Sequence, residues 1–148
     1  MSILAPGSAA PPVEGIEFGP SALLFYKVTC PVCQMAAPYA DRFERAYPGR
    51  ITGIGQDDEG DLAQFSKTHE MSFRSLADLE PYPVSDAYGI EAVPTLFLVG
   101  EDGKILDAAE SWDRDGFNRI SEELSELVGE KYVPISEEGD GLPAFRPG

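Results

Sequence analysis

Cys30 and Cys33 are the two cysteines of this 148-residue chain, separated by Pro31 and Val32. A pair at that spacing can be a metal clip, a structural disulfide or a redox centre. A structural zinc site takes four ligands, commonly two such pairs or one pair with two histidines. The chain has two Cys and one His in total, and His69 falls on a different expected helix. The ligand count therefore argues against metal. A chain of this length can bury its own core, so a disulfide is not needed as a staple. The redox reading fits the local physics best. A nearly continuous apolar run, "ALLFYKV" at 22–28, leads into Cys30, and a helix is expected to begin at once. At a helix start, unpaired backbone N–H groups and the macrodipole stabilise a thiolate. Cys30 is then the attacking thiol, and Cys33, one turn further in, the resolving one. Lys27 is a candidate source of further positive charge.

The elements that must hold this pair follow from the patterning. Residues 22–28 read as a buried strand. Thr29 reads as the N-cap of a helix over 31–46, which carries Met35, Tyr39 and Phe43 on one stripe and contains Pro38. A second strand is expected at 51–56 and a helix through about residue 69. After an ambiguous stretch at 71–76 and a loop at 78–83, a short helix spans 84–90. A strand follows at 95–99, then a turn at "GEDG", a returning strand at 104–109, and an amphipathic helix at 117–128. Strands joined by helices run parallel, and the last two form an antiparallel hairpin. The expectation is a single α/β domain over 1–148: a central mixed sheet with helices on both faces, an extended arm at 1–15 and a flexible, acidic, Pro/Gly-rich tail at 133–148.

Asp and Glu total 26 against 11 Lys and Arg, a formal net charge of −15. Such a surface repels polyphosphate and disfavours nucleic acid as a partner. The start, "MSILAPGSAAPPVEGIEF", has no basic segment followed by an apolar stretch of signal length, and no run approaches bilayer-spanning length. A cytoplasmic protein without membrane contact is expected, and in that compartment a cysteine pair is more often catalytic than structural.

Two motifs carry a resemblance. The first is Cys30-Pro31-Val32-Cys33-Gln34-Met35-Ala36-Ala37-Pro38. The second is Tyr88-Gly89-Ile90-Glu91-Ala92-Val93-Pro94-Thr95, opening the run Leu96-Phe97-Leu98-Val99, with Gly103-Lys104 at the following turn. Together they resemble the thioredoxin superfamily, and the length between 51 and 90 resembles its TlpA-like and peroxiredoxin-like redoxin branch. The resemblance implies a thioredoxin fold and a thiol–disulfide oxidoreductase acting on protein disulfides, with an upstream thiol protein as electron donor. It implies no metal or organic cofactor beyond the Cys30–Cys33 pair, and a monomer. It further implies that Pro94 is cis and packs on the pair, and that Val93 offers its backbone to an extended substrate strand. Thr29, Pro31, Val32 and Val93 are the candidate substrate contacts.

The chain departs from this family at defined positions. Thr29 replaces a tryptophan before the first cysteine. The buried acid of the preceding strand falls at Leu24, and the acid that relatives keep at the end of the second strand falls at Gln56, which leaves Asp57 or Glu80 to take the proton from Cys33. Trp112 lies outside the motif, as packing or rim. Two rival readings stand beside the oxidoreductase. A peroxiredoxin-type peroxidase would want a hydroxyl and a proline before its cysteine, where this chain has Lys27 and Leu23. The other is a non-catalytic binding module that kept the fold and the pair.

Overall fold

Alternate residues of the first strand face opposite ways, and that alternation organises the whole molecule. In the computed structural model, which describes residues 3–148, β1 (Ser21–Tyr26) sends Ala22, Leu24 and Tyr26 into one apolar cluster and Leu23 and Phe25 into another. It lies at the centre of a five-stranded sheet with β2 (Ile51–Gly55) parallel on one side and β4 (Thr95–Val99) antiparallel on the other. β3 (Ser75–Ala77) adds in parallel outside β2, and β5 (Ile105–Glu110) adds antiparallel outside β4, so the order is β3-β2-β1-β4-β5. A strand buried on both faces needs a near-continuous apolar sequence. β1 and β4 have it, and every residue of β4 is buried.

The larger cluster is covered by α1 (Pro31–Ala46), α2 (Glu59–Thr68) and α4 (Arg114–Val128). The opposite face is covered by a short α3 (Pro83–Ala87), by Tyr88, and by the N-terminal arm. Helices do cover both faces, as the patterning predicts, but three sit on one side and one on the other. The arm supplies the missing mass. Gly7 and Ala10 donate to the Ile105 and Gly103 carbonyls, the Ser8 carbonyl accepts from Ile105, and Ala10 and Val13 are buried. The first two residues of the expected arm, 1–2, lie outside the described residues.

The tail is where the structure corrects the sequence reading. Instead of flexing, residues 133–148 are laid along α4 and the end of the sheet. Ile135 is fully buried. The Asn118 side chain accepts from Ile135 and Ser136 N–H and donates to the Ser136 carbonyl. Arg114 reaches Ser136 Oγ and the Leu142 carbonyl, and Trp112 Nε1 donates to the Pro143 carbonyl at 2.8 Å. A last short strand, β7 (Phe145–Arg146), pairs antiparallel with β6 (Trp112–Asp113). Trp112 itself is packing: it is fully buried, 4.8 Å from the Phe117 ring and 6.4 Å from that of Tyr39.

Candidate active site

The chain leaves β1 at Tyr26, turns through 27–30 and enters α1 at Pro31. Proline suits the first turn of a helix because its missing N–H has no intrahelical partner there. The cap is one residue later than the sequence suggests. Cys30, not Thr29, is the N-cap, with extended backbone (φ −84°, ψ 115°) and its Sγ accepting from the Cys33 N–H at 3.3 Å. The turn is braced from three directions. Gln34 Nε2 donates to the Val28 carbonyl at 2.9 Å, Cys30 N–H to the Lys27 carbonyl at 3.2 Å, and Val28 N–H to Asp57 Oδ2 at 2.9 Å.

This placement drives the two thiols apart. Cys30 is pulled down to about 6, chiefly by a hydrogen bond from the Cys33 thiol. Partial burial opposes that, while the Cys33 and Val32 backbone N–H groups and the charge of Arg146 add to it. Cys33 is buried and pushed strongly upward, first by desolvation, then by its bond to Cys30 and by the negative charges of Cys30 and Asp57. Near neutral pH the half-exposed sulfur is therefore a thiolate and the buried one a thiol, the division of labour that disulfide exchange needs.

The second motif arrives from far along the chain. The Val93–Pro94 peptide bond is cis. Thr95 Oγ1 donates to the Ala92 carbonyl at 2.7 Å and holds the loop, and the Cys30 thiol donates to the Val93 carbonyl at 3.4 Å. Pro94 is buried and Val93 half-buried. Cys30, Cys33, Val93 and Pro94 thus form one site at the strand ends.

The remaining candidates divide. Thr29 and Pro31 are exposed at the site's rim, but Val32 points inward into the larger cluster and is no surface contact. Lys27 contributes its backbone carbonyl, and the cation whose charge reaches Cys30 is Arg146, which no local pattern indicates. Gln56 is turned away, donating to Ser85 Oγ, which in turn donates to the buried Asp78 that caps α3. Leu24 is core, and Glu80 is exposed before a cis Glu80–Pro81 bond. The half-buried acid whose charge reaches Cys33 is Asp57. Among the described residues no three His, Cys, Asp or Glu side chains converge as a metal group would require, and no helix is long and apolar enough to cross a membrane.

A sequence model of the AhpC/TSA family matches residues 14–108, a span that holds both motifs. The chain belongs to the AhpC/TSA family. Solved structures share its fold. The thioredoxin domain of a thiol-disulfide oxidoreductase from Bacteroides vulgatus is 23% identical, with 71% of this chain and 88% of that one covered at a TM-score of 0.61. A candidate thiol:disulfide interchange protein DsbE from Chlorobium tepidum is 22% identical, covering 71% and 84% at 0.60. A candidate protein disulfide isomerase from Bacteroides thetaiotaomicron is 16% identical, covering 88% and 96% at 0.72. No curated protein sequence matches significantly. The family match and these likenesses agree with the expected thioredoxin fold and redoxin branch.

Proposed function

We propose that this protein is a thiol–disulfide oxidoreductase that reduces protein disulfides through Cys30 and Cys33. The observation that carries the reading is the placement of the two cysteines: a part-exposed sulfur that caps the start of α1 and accepts from the Cys33 N–H, with a buried thiol one turn behind it. The Cys30 thiolate attacks one sulfur of a substrate disulfide; that S–S bond breaks, a substrate thiolate leaves, and a mixed disulfide forms on Cys30. Cys33 gives up its proton and attacks the Cys30 sulfur, releasing the second substrate thiol. The protein is left with a Cys30–Cys33 disulfide and the substrate has gained two electrons. An upstream thiol donor returns the pair to the reduced state. Val93 offers its carbonyl and N–H to an extended substrate segment, Pro94 shapes the groove, and Thr29 and Pro31 form its rim. Asp57 is the proton acceptor for Cys33 in this scheme, in place of the acids missing at Leu24 and Gln56.

Reduction of insulin by the reduced protein tests the reading. Cys30→Ser abolishes it, and Cys33→Ser accumulates mixed disulfide on Cys30 instead of turning over. Asp57→Asn keeps an acceptor for Val28 N–H but slows release of the mixed disulfide by about a hundredfold, the low end of what a positioned general base supplies. Equal retention of activity in both cysteine variants would remove the assignment. Family membership brings in peroxide reduction as a second reading. The structure gives it no support: Leu23 is buried in β1 and Lys27 presents its carbonyl to Cys30, so neither the hydroxyl nor the proline of a peroxide pocket is present.

A further inference from the structure

The last residues of the tail come to rest against the substrate groove. After Pro143, whose carbonyl is held by Trp112, the Ala144 carbonyl accepts from Arg114 N–H at 2.9 Å, and Phe145 and Arg146 pair with Asp113 and Trp112. Gly148 N–H then donates to Ser111 Oγ at 3.1 Å. Gly148 lies so close to Val93 that a Cβ built on it would collide with the Val93 carbonyl oxygen and stand 3.2 Å from its nitrogen. Those are the two backbone groups that an added strand would use. Arg146, meanwhile, lies 3.9 Å from Met35 Sδ, on the side of Cys30.

We propose that residues 145–148 are a strap that occupies the place of the substrate strand beside Val93 and lifts away when an extended disulfide-bearing segment docks. This rests on the reading of Val93 as the substrate-pairing residue. The strap is built to be displaced. Upstream, Ile135 and Ser136 are buried and tied to α4, whereas Pro143 through Gly148 are all exposed, and beyond the Pro143 and Ala144 carbonyls they are held by a two-residue ladder, a single serine and the Arg146–Met35 contact. It also states what the groove accepts: an extended segment with a small residue against Val93 and a basic residue toward Met35. Such a segment suits a surface of net charge −15.

The test uses the Cys33→Ser protein at pH 9, so that every form is compared at one high pH. Two probes are compared: dipyridyl disulfide, and an extended glycine- and arginine-flanked peptide whose cysteine carries the same pyridyl thiol. Each reaction releases pyridinethione as Cys30 takes the other half into a mixed disulfide. Deleting 147–148, which removes the glycine seated against Val93 and keeps Arg146, raises the peptide rate by about tenfold, the factor imposed by one or two net hydrogen bonds, and leaves the small reagent's rate unchanged. Gly148→Ala, which adds one methyl and leaves the core intact, shifts the ratio in the same direction. Equal changes with both probes, or none with either, overturn the strap. If the peptide reacts no faster than with a free thiol in every form of the protein, the protein-disulfide reading fails, and the strap's gating role with it.

Discussion

At the scale of single residues, the chemistry comes down to where one proton sits. Cys30, held near 6, is mostly thiolate at neutral pH, so its alkylation by iodoacetamide follows a titration with a midpoint near 6 in place of the ~8.5 of a free cysteine. A midpoint at the ordinary value would show that the helix start does not activate this sulfur. Linkage fixes the stability counterpart. A thiol depressed in the folded state favours folding at pH values above its unfolded pKa, and that contribution fades as pH falls and is gone below about 6. Cys33 is raised, so its contribution has the opposite sense: it is present below the ordinary thiol range and lost as pH climbs beyond it. Against Cys30→Ser as reference, the melting temperature of the reduced protein therefore rises between pH 5 and pH 8. The identities of Cys30, Cys33, Val93 and Pro94 were legible because each sits in a short motif. Arg146 was not: 116 positions separate it from Cys30, and only the tail's path joins them.

Among the elements, those with a strong period were readable and those held by distant polar partners were not. The helix at 31–46 and the strand at 95–99 fall where the apolar spacing puts them. α4 begins three residues before the expected 117, because Arg114 and Gly116 are buried by packing and not by hydrophobicity. β3 has three residues, too few for an alternation to declare itself, and it exists because β2 leaves an edge to pair. The tail looks flexible from composition, since Pro, Gly and acidic residues dominate it. Its order comes from Trp112, Arg114 and Asn118, each donating to a tail carbonyl. This yields a prediction about Trp112. Replacing it with Phe keeps most of the ring contact but removes the donor to the exposed Pro143 carbonyl, at a cost of about 0.5–1.5 kcal/mol. Limited proteolysis should then cut around residues 143–145 faster than in the parent, while Cys30 alkylation stays rapid. Unchanged cutting would mean that the tail is held without that bond.

The molecule as a whole is a five-stranded sheet with unequal coverings and a strongly negative surface. Net charge of −15 acts on encounter more than on fold. The reaction of Cys30 with a basic protein disulfide should slow as salt is raised from about 10 mM to 1 M, over which the screening length shrinks roughly tenfold. Reaction with neutral dipyridyl disulfide should stay flat over the same range. A shared salt dependence would place the effect in the thiolate itself and not in steering.

One short contact ties these scales together. The Val93 carbonyl accepts a hydrogen bond from the Cys30 thiol at 3.4 Å. A thiolate has no proton to give. Ionising Cys30 therefore does two things at once: it arms the sulfur and leaves the neighbouring carbonyl vacant for an incoming N–H. That oxygen carries two lone pairs, so the protonated thiol takes one of them and ionisation frees both for a docking strand.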